Sequence, residues 1–402
     1  MDDGMERWML GPFVRHEGDV VTRQPDLTFS CPVSERSVAW AAKDVFNPGA
    51  TVLDGRVHLL VRAEDDRGRF SGTSRLGLAS SDDGMSFALD PTPVLFPDDR
   101  WQAWEWPGGC EDPRVVTSPD GGFVCTYSAF DGKSPTLFVA TSDDLRTWHK
   151  HGPAFADTAA ARRSSKSGAI VTTMRDGRLE ATRIDGRYWM YWGEGVCFAA
   201  TSDDLVHWQP LEHDATGDRY LSYESPAADR AGASPWRVHR VPGQSVLRPL
   251  LFPRPGRFDS LLVEPGPPAL LTDDGIVLIV NGANHPTRGD PASPAFAYQP
   301  GQVLFDPCDP ASCIARPTEP FLRVGVGDET GGQVDNVCFA QGLVPFGAEW
   351  LLYLGRADST IGCARAPREA GAAASAGGRP HQAASSTARA SIAPGSGRRR
   401  TV

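Results

Sequence analysis

One pattern returns five times along the chain and constrains its fold more than any other feature. Each copy is a turn built on Gly or Asp, followed by an apolar strand rich in aromatic or branched residues. The copies run Asp54-Gly55-Arg56 to Arg62, Asp120-Gly121-Gly122 to Tyr127, Asp185-Gly186-Arg187 to Trp192, Asp274-Gly275-Ile276 to Val280, and Gly347-Ala348-Glu349 to Leu354. A second pattern follows the first three copies: Ser81-Asp82-Asp83, Ser142-Asp143-Asp144 and Ser202-Asp203-Asp204. Strand-rich repeats at a fixed spacing of about sixty residues signal a propeller or a solenoid. Five copies, each with room for about four short strands, predict an all-β fold, a five-bladed β-propeller. The Asp-Asp turns are expected to close the outer hairpin of a blade, a structural role that suits Asp.

Each copy is preceded by another apolar strand with a polar head. The heads are Asn47-Pro48-Gly49, Glu111-Asp112-Pro113-Arg114, Lys166-Ser167-Gly168, Glu264-Pro265-Gly266 and Asp335-Asn336. The first strand of a propeller blade lines the central channel. Asn47, Asp112, Lys166, Glu264 and Asp335 are therefore expected to meet at one channel mouth, unless these heads are only turn residues. Neighbours on a regular strand point to opposite faces, so Glu111 is expected to turn away from Asp112.

The propeller is expected to span residues 1–365. Its last repeat lacks a fourth strand, which the segment from Pro12 to Val21 could supply, protecting a sheet edge. The polar segment at about 212–243 reads as a long surface loop. Residues 366–402, mostly Ala, Ser, Gly and Arg, read as a disordered low-complexity tail.

Composition narrows the function classes. A net charge of −10 argues against a nucleic-acid partner. No apolar run is long enough to span a membrane. The acidic start, Met1 to Glu6, lacks the apolar region of a signal peptide, so a cytoplasmic location is expected. The eight cysteines form no Cys-x-x-Cys pair and have no His at zinc spacing, so no metal and no cofactor is expected. They read as reduced, with Cys308 and Cys313 able to pair only in an oxidising compartment.

The residues left for chemistry are carboxylates: Asp112, Glu194, Glu264 and Asp335. Two carboxylates flanking a sugar are the minimal equipment for cleaving a glycosidic bond. Arg62, Arg114 and Lys166 could hold the sugar as charged donors. Trp104 and Trp106 lie near Asp112 in sequence, and Trp189 and Trp192 near Glu194. The last two read first as core, because a Trp buries so much area.

Several of these stretches resemble glycoside hydrolase family 130. They are Phe46-Asn47-Pro48, Glu105-Trp106-Pro107-Gly108-Gly109-Cys110-Glu111-Asp112-Pro113-Arg114, Lys166-Ser167-Gly168-Ala169-Ile170, Tyr188 to Glu194, Val263 to Pro268, and Gly332-Gln333-Val334-Asp335-Asn336. The likeness keeps its order from about Trp8 to about Arg365. It implies a five-bladed propeller that acts on β-mannosides with inversion, by hydrolysis or by phosphorolysis. It further implies that Asp112 is the general acid, its proton relayed through a sugar hydroxyl. Acids matching Glu194 and Glu264 are its candidates for the base that activates water. A phosphorylase needs several cations for the phosphate dianion. Phosphorylases resembling this chain carry an arginine near the strand at Ser134–Ala140, where only Lys133 stands here. Arg162 and Arg163 argue the other way. The expectation is an inverting hydrolase of β-1,2-linked manno-oligosaccharides, acting on a small carbohydrate without a cofactor. A mannoside phosphorylase is the alternative, and an inactive sugar-binding propeller the third reading.

Overall fold

The computed structural model describes residues 6–66, 72–158, 160–161, 163–213, 220–223, 236–239, 246–325 and 329–368. Nearly all regular structure among them is β. The helix among them is a single turn, Gln102–Glu105.

Five antiparallel meanders follow one another. After a short strand β1 (Val14–Arg15) come β2 (Asp44–Leu53), β3 (Arg56–Glu64), β4 (Ser74–Ser81) and β5 (Ala88–Leu89), each paired to the next. The second meander is β6 (Gly109–Thr117), β7 (Phe123–Phe130), β8 (Pro135–Ser142) and β9 (His149–Pro153). The third is β10 (Ala169–Arg175), β11 (Arg187–Trp192), β12 (Cys197–Ser202) and β13 (Trp208–Pro210). In the fourth the first strand is split into β14 (Leu262–Pro265) and β15 (Ala269–Thr272). Both pair with β16 (Gly275–Ala283), which leads to β17 (Tyr298–Phe305) and β18 (Cys313–Ala315). The fifth is β19 (Cys338–Phe346), β20 (Glu349–Arg356) and β21 (Thr360–Pro367). Its fourth strand is β1, with Val14 opposite Arg365, as the sequence predicts.

The first strands of the meanders are neighbours. β2 touches β6, β6 touches β10, and β10 pairs parallel with β15. β19 touches both β16 and β2. Glycine makes this crowding possible. A Cβ on Gly49 would stand 2.7 Å from the carbonyl oxygen of Pro113, and one on Gly266 the same distance from that of Ala340. Backbones of adjacent meanders can approach this closely only where no side chain intervenes. Side-chain amides then stitch the seams. Gln341 donates to the carbonyls of Asn47 and Pro113, and Asn281 exchanges two bonds with Ala340. The cores between meanders are apolar, with Trp40, Tyr127, Trp192 and Tyr353 fully buried.

The repeated acids are structural, as expected. Asp83 Oδ1 accepts from the amides of Met85 and Ser86, while Ser81 Oγ donates to it and caps Gly84. Ser142 with Asp144, and Ser202 with Asp204, repeat the same bonds.

Two boundaries differ from the sequence reading. The folded part does not end at Arg365: Ala366 pairs with Trp350 and Pro367 with Glu349, because β21 needs them to match the length of β20. The rest of the expected tail, 369–402, lies outside the described residues. The segment read as a loop contains a two-stranded ladder, Tyr220–Tyr223 against Trp236–His239. Most of the remainder of 212–243 lies outside the described residues.

Candidate active site

Proline sets the site's local geometry. A proline has no N–H to give a ladder and is confined in sheets to edges, strand starts and bulges. Pro48 and Pro113 fall inside β2 and β6, and both strands bulge there, between Phe46 and Gly49 and between Glu111 and Arg114. The residue before each proline takes a left-handed conformation, φ 45° at Asn47 and 49° at Asp112. Asn and Asp tolerate this better than other side chains. The bulges take both residues off the regular alternation and bring them together.

Asp112 is the hub. Its Oδ1 accepts from Asn47 Nδ2 at 3.1 Å and from Arg62 Nη1 at 3.0 Å. Its Oδ2 has the ammonium of Lys166 at 3.6 Å. Burial pushes this carboxyl up, but Arg62, Lys166, Arg114 and the Asn47 bond outweigh it and hold it well below the usual range.

Lys166 links Asp112 to the second acid. Its Nζ lies 3.5 Å from Glu194 Oε1, in the turn between β11 and β12. The two carboxylate oxygens can be no further apart than these two contacts combined. Glu194 is 44% exposed, whereas Glu264 is 1% exposed. Glu264 Oε1 accepts from Ser167 Oγ at 2.8 Å. Burial, with Glu194 adding to it, pushes the Glu264 carboxyl up to about 7 against Lys166 and Arg114. Burial pulls Lys166 down, but Glu264, Asp112 and Glu194 outweigh it, so it stays charged.

Asn47, Arg62, Asp112, Lys166, Glu194 and Glu264 therefore gather as the sequence reading expects. Three of its calls need correction. Arg114 is no sugar donor. It is buried and donates to the carbonyls of Asp112, Pro265 and Gly266, because the bulge turns it inward between meanders. Glu111 is not turned away. Arg62 Nη2 reaches Glu111 Oε1 at 3.0 Å, because alternation fails at a bulge. Asp335 is exposed and has no hydrogen bond or ion pair among the described residues. Its loop lies against the turn after β20 through Val334 and Gln333, and that turn carries the acid that faces the site. Asn47 and Arg62 do join the site, but Asn47 donates to Asp112, and Arg62 to Asp112, Glu64, Glu111 and Ser74.

That acid is Asp358, missed by the sequence reading. Burial, Asp112 and Glu64 push it up to about 6, against Arg62 and Lys166. Its position was legible in principle: the turn after the second strand carries Glu194 in the third meander and Asp358 in the fifth. Glu64, on Arg62 Nη2 at 2.8 Å, was missed too. The tryptophans behave as core: Trp192 packs on Phe155 and Phe198, and Trp104 on Phe138. No group of three or more possible metal ligands occurs among the described residues.

The family model described as beta-1,4-mannooligosaccharide phosphorylase, of glycoside hydrolase family 130, matches residues 15–238. The chain belongs to glycoside hydrolase family 130. Within family 130, it is 42% identical to a solved structure reported under the statement that the family's mannoside phosphorylases include glycoside hydrolases targeting β-1,2 mannosidic linkages in Candida mannan. That likeness covers 90% of this chain and 95% of the other, with a TM-score of 0.80. A glycosyl hydrolase structure from Bacteroides ovatus is 41% identical over 90% of this chain and 95% of its own, also at a TM-score of 0.80. A curated relative, the 1,2-beta-oligomannan phosphorylase of Thermoanaerobacter sp. (strain X514), is 28% identical over 81% of this chain and 90% of its length.

Proposed function

We propose that this enzyme is a five-bladed propeller that hydrolyses β-mannosides with inversion, on β-1,2-linked manno-oligosaccharides. The observation that carries this reading is the grouping of Asp112, Glu194 and Glu264 around the single ammonium of Lys166. Arg62 and Arg114 are engaged by carboxylates and main-chain carbonyls. Among the described residues such a pocket offers little to a phosphate dianion, which needs cationic donors; Arg162, one of the two arginines that argue the other way, lies outside them. The five meanders, their neighbouring first strands and the completion of the last meander by β1 support the propeller.

Asp112 acts as the acid through Oδ2, the oxygen that Asn47 and Arg62 leave open. Its proton travels through a sugar hydroxyl to the leaving oxygen. Glu264 and Glu194 orient a water and take its proton, and Glu264, near neutrality, is well matched to that task. Lys166 and Asp358 hold the sugar.

Phosphorolysis is the second reading, and the names of the relatives favour it. The family model is described by a phosphorylase, and the curated relatives at 25–28% identity are phosphorylases. The structures at 39–42% identity are described as glycosidases or glycoside hydrolases. The deciding assay measures sugar release from a panel of β-linked mannobioses with and without inorganic phosphate. Free mannose without phosphate supports hydrolysis. A phosphate requirement with mannose 1-phosphate as product supports the second reading. No turnover under either condition would leave a sugar-binding protein.

A further inference from the structure

Two glutamates beside the catalytic acids converge on the same donors. Arg62 Nη2 lies 2.8 Å from Glu64 Oε1 and 3.0 Å from Glu111 Oε1. Ser74 Oγ lies 3.3 Å from Glu64 Oε1 and 3.2 Å from Glu111 Oε1, and accepts from Arg62 Nε at 3.1 Å. A serine has one hydroxyl proton, so Ser74 can serve only one of these oxygens at a time. Two ionised carboxylates on one guanidinium nitrogen and one hydroxyl repel each other. A site of this kind relieves the repulsion by keeping one proton.

The surrounding charge does not remove the need for it. Arg62 and Glu64 come from β3, and Glu111 and Asp112 from β6. Lys43, before β2, places its ammonium 3.3 Å from Glu64 Oε2. Lys166 and Asp358 act from further off, and Lys166 is shared with Glu194 and Glu264. Four acids, Glu64, Glu111, Asp112 and Asp358, thus face four cations, Lys43, Arg62, Lys166 and Arg114, but Arg114 acts on Asp112 and Glu264 rather than on the two glutamates. Glu64 is fully buried and Glu111 is 13% exposed. Burial, with Asp112 and Glu64 adding to it, pushes the Glu111 carboxyl up to about 7 against Arg62 and Lys166.

We propose that Glu111 keeps its proton at neutral pH, held among Glu64, Arg62 and Ser74, and that this protonated carboxyl is the positioning element that keeps Arg62 on Asp112. The proposal rests on Asp112 being the working acid. Loss of that proton puts a second full negative charge beside Arg62 Nη2. The guanidinium is then drawn toward the pair, and Asp112 loses the donor that orients Oδ2 toward the sugar. Activity falls as pH rises through the titration of Glu111. Protonation of Glu264 gives the opposite, acid limb.

The test pairs infrared difference spectra with pH profiles of kcat/KM, on the whole chain, for wild type, Glu111→Gln and Glu64→Gln. Cleavage is scored whether hydrolytic or phosphorolytic, so the identity of the nucleophile does not enter. Wild type should show the carbonyl stretch of a protonated carboxyl that disappears as pH rises past neutrality. Glu264 and Asp358 contribute bands of their own, so the readout is the wild-type minus variant spectrum, which should show one protonated carboxyl fewer in Glu111→Gln. The alkaline limb should vanish with that carboxyl while the acid limb stays, with the rate at neutral pH within about tenfold, as for one neutral hydrogen bond exchanged for another. A band of undiminished area in both variants would overturn the retained proton, and an alkaline limb unchanged in both would overturn its positioning role. If Glu111→Gln does not fold, Glu64→Gln carries the same two readouts. A chain with the band but no turnover of any mannoside would sink the proposed function and leave the retained proton standing.

Discussion

The ammonium of Lys166 lies 3.6 Å from Asp112 Oδ2, the oxygen that Asn47 and Arg62 leave open. It therefore occupies the space between Asp112 and Glu194, where the proposed function places the sugar. Replacing it by methionine keeps the stem and removes the charge. Lys166→Met is expected to lower kcat/KM by at least about a hundredfold, in line with the loss of one preorganised donor. Steady-state kinetics on a mannobiose, with a melting curve to confirm folding, decide it. A variant within a few-fold of wild type would mean that Lys166 does not face the reacting sugar.

Roles separate by leaving group. Asp112→Asn removes the proton source and should cost on the order of 10²–10⁴ in rate on a mannobiose. The cost should shrink on an activated aryl β-mannoside, whose leaving group needs little protonation. Glu264→Gln should hurt both substrates alike, because water must be activated in either case. Equal losses on both substrates for Asp112→Asn would move the acid role to another residue.

The repeat was legible because a turn followed by an apolar strand is a local signal, and each of the five copies became the second strand of a meander. The convergence of Asn47, Asp112, Lys166 and Glu264 was legible for the same reason. What regular strand alternation could not reveal lies at the bulges. Pro113 breaks the ladder, and so Glu111 joins Asp112 on Arg62 while Arg114 turns inward. Asp358 was hidden differently. It sits in a short turn whose importance shows only once the turn after β20 is seen at the same end of the sheets as the turn holding Glu194.

The seam between the first two meanders is testable through Gly49. A Cβ there would stand 2.7 Å from the Pro113 carbonyl oxygen, a backbone atom that cannot swing away. Gly49→Ala should destabilise by about 1–3 kcal/mol. It should also reduce activity, because Pro113 follows Asp112 directly. Thermal melting and kinetics on the same sample check both. An unchanged melting temperature would show that the two strands do not approach this closely.

Stability should carry the mark of Glu264. Its folded-state carboxyl is raised from 4.5 to about 7. The folded state thus binds this proton more tightly than the unfolded chain does. The stability it contributes is fully present below about 4.5 and is lost as pH rises through about 7. Glutamine does not titrate. The melting temperature of Glu264→Gln relative to wild type should therefore climb across that window and level off above it. A difference independent of pH would mean that Glu264 titrates normally.

The nucleophile itself is the central question. β-1,2-Mannobiose turned over in ¹⁸O-labelled water, without phosphate, should yield mannose carrying the label at C1. Proton NMR should show the α anomer first, the mark of a single displacement by water with inversion. Labelled product forming first as the β anomer would contradict inversion. No product until phosphate is added, followed by unlabelled α-mannose 1-phosphate, would contradict hydrolysis.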